Sequence, residues 1–222
     1  MEVAEQTITT NTSNIKVQKR DGRLEPLDID KIHFVVEEAC EGLTGVSSSQ
    51  IEINANIQFY DGITTKDIQH VLVKSANDLI SLENPNYQYA AARLLSYDVR
   101  KEAHGQYEYI PLLKLILRNI KLGVYDRTIV EKYHKSEIKK FNTWIKRDRD
   151  LDFTYAGLRQ VVDKYLVQDR STGELYETPQ DMYMMIAATL FAEYPKKTRM
   201  SYVKKYYDCL LYTSPSPRDQ LQ

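Results

Sequence analysis

Apolar positions change period several times along the chain, and each change marks an element. Ile15 and Val17 alternate with polar residues, the chain turns at Asp21-Gly22, and Leu24, Leu27 and Ile29 return. Asp-Gly tolerates the positive φ of a tight turn, so this stretch predicts a β-hairpin. Pro26 lacks an N–H and makes the return arm an edge strand. Asp28 and Asp30 can cap a helix that carries Ile32, Val35, Val36, Ala39, Cys40 and Leu43 at the 3.6-residue period, closed by Gly42 and Gly45. "VSSSQ" opens a second helix with Ile51, Ala55 and Phe59, ended by Asp61-Gly62. Thr64 and Asp67 have the form of a capping box, and Ile68, Val71, Leu72, Ala76, Leu79 and Ile80 then form a stripe. A fourth helix runs from Asn86 through Ala90, Ala91, Leu94 and Tyr97 to Gly105, with Arg100 and Lys101 in its last turns, where the helix dipole favours cations.

A Leu/Ile-rich helix starts again between Pro111 and Gly123, and two short charged helices follow around "RTIVEKYHKSEIKKFNTWIKRDRD". Tyr155 opens another helix with Leu158, Val161, Val162 and Tyr165. "KYLVQDRSTGELYE" predicts a second hairpin. Thr178-Pro179-Gln180-Asp181 combines a cap, an N1 proline and an acidic first turn. It starts a helix with Met182, Met185, Ile186, Thr189 and Leu190 along one face, broken at Pro195 before "KKTRMSYVKKYYD" resumes as a last helix. The expected fold class is mainly α (α+β). A small β-hairpin or sheet caps a four-helix unit over residues 14–105, and an all-α region with one β-hairpin follows over 106–208. Residues 1–13 are too polar to order themselves. Residues 209–222, "CLLYTSPSPRDQLQ", have alternating Ser-Pro and no period, and resemble adaptor-derived read-through rather than a folded segment; an unstructured tail is expected.

Composition narrows the function classes. With 222 residues and 42% hydrophobic content the chain can build cores, and 30 basic against 31 acidic residues give a formal charge of −1. No whole-molecule field would draw it to nucleic acid or membrane, so any anion site must be local. Two distant cysteines exclude a disulfide framework and a paired-cysteine zinc knuckle. No window approaches the ~20 apolar residues of a membrane span, and a soluble, cytoplasmic protein is expected.

No GxSxG, HExxH, paired-cysteine or Walker-type phosphate-loop motif occurs, so no catalytic residue and no metal ligand is assigned. Cys40 sits on the apolar stripe of the first helix and reads as a structural thiol. The four histidines lack metal-ligand spacing and read as surface or helix-end residues, and Lys204, Lys205, Tyr206 and Tyr207 as a solvated helix end. Lys19, Arg20, Lys31 and Lys101 are the cations attached to a feature suited to an anion. A hairpin turn offers backbone N–H groups, a helix N-terminus adds partial positive charge, and the side chains supply full charges. The residues alone leave two readings open: a polyphosphate site, or charged groups in an exposed turn.

"VQKRDGRLEPLDIDKI", "IQFYDGITTKDI" and "NPNYQYAAARLLSYDVRKEAHGQYE" resemble the ATP-cone at the N-terminus of class I ribonucleoside-diphosphate reductase large subunits. "DRDLDFTYAGLRQVVDKYLVQDRSTGELYE" and "YPKKTRMSYVKKYYD" are similar to the helical region before that family's catalytic barrel, so the likeness runs in one register over residues 14–208. It implies allosteric binding of ATP, which switches reduction on, and dATP, which switches it off, with Mg2+ accompanying the nucleotide. It implies as partners a radical-generating small subunit, a second large subunit in a homodimer, and thioredoxin or glutaredoxin, with no nucleic acid or membrane. Carried over residue by residue, Lys19, Arg20 and Lys101 face phosphates, and Lys31 and Thr65 reach phosphate or sugar. Glu25 accepts from the adenine amino group, and Val17 and Ile32 sandwich the base. Where the family commonly has histidine this chain has Gln69, with His70 about 100° further round the helix; where asparagine is common it has Asp28, able to accept from adenine or cap the helix. The family's catalytic cysteines, relay tyrosines and substrate loop fall outside this sequence, so the chain by itself is expected to be inactive. Two rivals remain. An ATP-cone transcriptional regulator would need cysteine pairs for a zinc ribbon, and a helical scaffold would bind no nucleotide.

Overall fold

The Asp21-Gly22 signal produces the turn it predicts. In the computed structural model, which describes residues 15–213, β1 (Lys16–Gln18) and β2 (Leu24–Pro26) pair antiparallel with Val17 opposite Glu25. Gly22 has φ +85°, and its N–H donates to the Lys19 carbonyl at 2.9 Å. That conformation is open to glycine at little cost. A third strand, β3 (Ile63–Thr64), which the sequence pattern does not reveal, lies parallel to β1 in the order β2-β1-β3. This leaves β2, with Pro26, at an edge, where the missing N–H breaks no ladder. The expected lead-in, residues 1–13, lies outside the described residues, as does the tail beyond Thr213.

The chain divides into two compact units, one ending at Leu94 and the other beginning at Leu95. The first contains the sheet and α1 (Ile29–Cys40), α2 (Ser48–Asn56) and α3 (Thr65–Asp78), and α4 (Tyr87–His104) begins in it. Ile32, Val36 and Ala39 of α1, Ile51 and Ala55 of α2, and Ile63 of β3 are buried as the periodicity requires. Ser47 and Thr64 cap α2 and α3, accepting from the amides of Gln50 at 3.4 Å and Asp67 at 3.0 Å. The guanidinium of Arg93 donates to the carbonyls of Ala39 at 3.1 Å and Glu41 at 2.7 Å, satisfying acceptors that the end of α1 leaves open.

The second unit contains α5 (Leu112–Lys121), α6 (Thr128–Lys132), α7 (Lys135–Trp144), a 3-10 segment Arg147–Asp152, α8 (Tyr155–Lys164), α9 (Pro179–Leu190) and α10 (Lys196–Thr213). Its core is built on Leu115, Ile116, Tyr133, Ile138, Phe141, Leu158 and Tyr207. One expectation is narrowed here and two are corrected. The second hairpin is formed but short, with a single antiparallel bridge, Gln168 to Leu175. The Asp169 amide donates to the Glu174 carbonyl at 2.9 Å and the Tyr176 amide to the Val167 carbonyl at 3.1 Å. The ladder stops there because the Val167 amide donates to Glu177 at 2.9 Å and the Tyr176 carbonyl accepts from Asn119 at 2.9 Å. On α9 the buried face carries Met182, Tyr183, Met184, Ala187 and Ala188, while Ile186 and Leu190 are 39% and 54% exposed. The helix is apolar almost all round, so periodicity could not choose; the small alanines and the polar anchors Gln180 and Asp181 decide which side turns in. Finally, α10 runs past Asp208 to Thr213, since residues 209–213 contain no glycine or proline to interrupt it.

Candidate functional site

Two ion pairs form where the hairpin meets α1. Lys19 follows β1, and its Nζ lies 3.2 Å from Glu25 Oε2 on the opposite strand. Asp28 caps α1: its Oδ1 accepts from the Lys31 amide at 3.2 Å, and its Oδ2 pairs with Lys31 Nζ at 2.8 Å. The hydrogen bond from Lys31 holds the Asp28 carboxyl below its ordinary range, helped by the charge of Lys19. The same bond raises Lys31, with a further contribution from Glu25. The four side chains thus sense one another across the junction and form one electrostatic group. Arg20 is exposed at the turn, where Arg23 pairs with Asp21 at 2.7 Å.

The parallel pairing of Gln18 with Thr64 settles what else joins this group. Past that pair, Lys19 and Thr65 leave neighbouring strands in the same direction, and Thr65 is the first residue of α3. The turn is thereby set beside a helix N-terminus, whose free N–H groups and dipole favour an anion. The capping form of Thr64 and Asp67 was the sequence signal for that terminus; the strand pairing that positions it had none. Val17 and Ile32 are 4% and 7% exposed, so they offer narrow apolar edges. Gln69 lies one turn into α3, 6% exposed, and its Nε2 donates to the Leu94 carbonyl at 2.8 Å, while His70 is exposed. Lys101 lies on α4 past Leu94, in the second unit, half-buried and 5.8 Å from the Tyr107 ring centroid. Lys19, Glu25, Asp28, Lys31 and Thr65 are therefore brought to one junction. Gln69 is engaged with α4, and Lys101 belongs to the other unit.

The second unit holds a buried polar cluster that sequence reasoning did not find. His104, expected at a surface or helix end, is 5% exposed, and its Nε2 lies 3.1 Å from Asp181. The Ile110 amide donates to His104 Nδ1 at 3.2 Å, so Nε2 is the nitrogen left to donate to the carboxylate. Arg147 donates to Asp181 Oδ1 at 2.6 Å and to Thr178 at 2.9 Å. Burial alone would raise Asp181, but Arg147 and His104 outweigh it and hold the carboxyl well below the usual range. Asp150 has Gln180 as its hydrogen-bond donor, at 2.9 Å, and burial pushes it up to about 7. Glu177, which accepts from Tyr125 and the Val167 amide, is also pushed up to about 7 by burial. With the Tyr207 hydroxyl, which donates to Gln180 Oε1 at 2.7 Å, these groups join α4, the 3-10 segment, α9 and α10, and they act as internal cross-links.

Burial raises the half-buried Cys40 thiol to about 11, which makes it a poor nucleophile. Among the described residues no group of three or more His, Cys, Asp or Glu is placed to hold a metal ion, and no helix is long and apolar enough to cross a membrane.

Comparison with known proteins extends this geometry. Residues 15–102 match the ATP cone domain, and residues 151–216 match the all-alpha domain of ribonucleotide reductase. The chain is 48% identical over 197 residues to ribonucleoside-diphosphate reductase 1 subunit alpha of Escherichia coli (strain K12), covering 89% of this chain and 26% of that protein. Similar matches are the ribonucleoside-diphosphate reductase subunits alpha of Enterobacteria phage T4, 39% identical over 88% of this chain and 26% of the relative, and of Helicobacter pylori (strain ATCC 700392 / 26695), 38% identical over 79% and 22%. The chain thus spans about a quarter of the length of the relatives it matches. The chain combines an ATP cone domain with the all-alpha domain of ribonucleotide reductase, in the order of residues 15–102 and 151–216, and is similar over most of its length to alpha subunits of ribonucleoside-diphosphate reductases.

Proposed function

We propose that the hairpin junction binds ATP and dATP as alternative effectors, and that the protein to which this region belongs reduces ribonucleoside diphosphates. The observation that carries this reading is the electrostatic group of Lys19, Glu25, Asp28 and Lys31 beside the start of α3. Nucleotide phosphates would take the places that the Glu25 and Asp28 carboxylates now hold on Lys19 and Lys31, with Arg20 and the α3 N-terminus adding to them. Glu25, released from Lys19, can accept from the adenine amino group. The narrow edges of Val17 and Ile32 suit the faces of a base. Asp28, Thr65 and Gln69 complete the proposed set within the first unit, Thr65 toward phosphate or sugar; Lys101, the phosphate-facing residue that the resemblance adds, lies in the second unit. Mg2+ would arrive with the nucleotide.

In this reading residues 14–105 form the regulatory cone and 106–208 the helical entry to a catalytic portion that carries the reactive groups. The partners are a radical-generating small subunit, a second large subunit, and thioredoxin or glutaredoxin, in the cytoplasm. Titration calorimetry with ATP and dATP tests the site. Lys19→Ala with Arg20→Ala should weaken ATP binding at least tenfold, since two charge-assisted contacts go, while the melting midpoint without nucleotide stays nearly unchanged. Equal affinity in wild type and double variant would refute the phosphate placement.

A further inference from the structure

The second unit carries a groove of 770 Å3 between α5 and α7 that the nucleotide reading does not use. Its floor is apolar, formed by Pro111, Leu113 and Leu117, the last 46% exposed. Its rim is basic, with Lys114, Lys121 and Lys139 exposed around it. Arg118 adds a fourth charge and is fixed in place by donation to Asn119 at 3.0 Å and to the Tyr176 carbonyl at 3.2 Å. The two walls are tied together, since the Leu112 amide of α5 donates to Asn142 of α7 at 2.9 Å.

The charges that line this groove are all of one sign. Several other surface cations of the unit sit against carboxylates, as in Arg127–Glu131, Lys132–Glu193, Arg159–Asp163 and Lys204–Asp208. Among the described residues, no carboxylate lies within ion-pair distance of Lys114, Lys121 or Lys139. Among the described residues, four cations therefore line an exposed leucine floor with no carboxylate in ion-pair contact.

We propose that this groove docks an acidic, leucine-bearing helical segment of a protein partner. The spacing favours such an occupant. Lys114 and Lys121 are seven residues apart in α5, which places them on nearly the same face with about 10 Å of axial separation. Carboxylates one or two turns apart on an opposing helix match that row, while leucines between them fill the floor, the helix-in-groove mode of recognition. A fatty-acid or lipid headgroup offers its charge at one point and would leave most of the rim unmet. A single-stranded nucleic acid uses aromatic platforms for its bases, and no aromatic side chain lines this groove.

Fluorescence anisotropy tests the proposal. The chain is titrated against a labelled peptide of about four helical turns carrying leucine at i and i+4 and glutamate at the flanking positions. A scrambled peptide of the same composition, phosphatidylserine-containing vesicles and a single-stranded oligonucleotide serve as competitors. The patterned peptide should bind, lose affinity as salt rises, and resist all three competitors. Lys114→Glu with Lys121→Glu should weaken it at least tenfold, and Leu117→Ser should weaken it without altering the salt dependence. These side chains are exposed, and circular dichroism melts of each variant verify that the fold is kept. No binding by the patterned peptide, equal binding by the scrambled one, displacement by vesicles or oligonucleotide, or undiminished affinity in the folded double charge reversal would each overturn it.

Discussion

Asp150→Asn isolates the energetic effect of burying one carboxyl group. Asp150 is 1% exposed on the 3-10 segment. Gln180 of α9 donates to its Oδ1 at 2.9 Å, and its Oδ2 has no hydrogen-bond partner among the described residues. The charges of Arg147 on its own segment and Arg100 on α4 favour ionisation, and that of Asp181 on α9 opposes it, while Tyr109 and Tyr207 also interact with it. Burial wins, and the carboxyl titrates near about 7 instead of 3.8.

The sign follows from proton binding. Between about pH 4 and about pH 7 the unfolded chain has released this proton and the folded chain retains it, so folding takes up a proton and stability falls as pH rises through that window. At about 1.4 kcal/mol per pH unit, the interval from 3.8 to about 7 corresponds to about 4 kcal/mol, fully lost only above about 7. Asparagine keeps an acceptor for Gln180 and carries no titrating proton. Urea unfolding of both proteins at pH 5 and pH 8 measures the effect as a change in their stability difference. Any constant offset from the altered Oδ2 position cancels, and so do the contributions of Glu177 and Asp181, which both proteins share. Because pH 5 already lies above the unfolded value, only the interval from 5 to about 7 counts, and the difference should shift in favour of Asp150→Asn by about 2 to 3 kcal/mol between the two pH values. A stability difference that stays constant with pH would show that Asp150 ionises normally in the folded protein, and the reasoning would fail.

Further consequences can be checked on the same material. Arg147→Ala leaves the buried Asp181 carboxylate with hydrogen bonds from His104 and Thr178 but without its guanidinium partner, and should destabilise by about 3 to 5 kcal/mol in urea unfolding; a loss below about 1 kcal/mol would mean that the ion pair is dispensable. Thr64→Ala removes the cap of α3 and should cost about 1 kcal/mol of thermal stability, with no change counting against the capping role. Gln69→His exchanges the amide that donates to Leu94 and should alter the ratio of ATP to dATP affinity; if calorimetry finds both affinities unchanged, position 69 does not discriminate.

Local signals carried much of the first unit. Asp21-Gly22 fixed the hairpin, Pro26 identified its edge, and Ser47 and Thr64 began helices where they were expected. What escaped was non-local or direction-dependent. β3 has two residues, too few for any period, and exists only because β1 lies beside it. His104 and Asp181 are 77 positions apart, and neither has a neighbour in sequence that announces the other. The apolar composition of α9 left its inward face undetermined until Gln180 and Asp181 found buried partners. The tail misled because its Ser-Pro repeats suggested an unstructured segment from Cys209 onward, although residues 209–213 hold no glycine or proline and continue α10.

The hairpin junction and the buried cluster of the second unit handle their charges in opposite ways, and this bears on which of them can respond to a ligand. The Lys19–Glu25 side chains are 29% and 40% exposed and those of Lys31–Asp28 are 73% and 41%, whereas both partners of His104–Asp181 are 0% exposed. Exposed pairs are screened by solvent and contribute little to the fold, so the proposed exchange of a carboxylate for a phosphate would disturb little beyond the junction. The frame beneath stays fixed because Val17, Ile32 and Ile63 are packed inside. In the second unit, removing one partner strands another in an apolar interior. A reversible effector site is therefore compatible with the weakly coupled charges of the hairpin, and the buried cluster suits a rigid support.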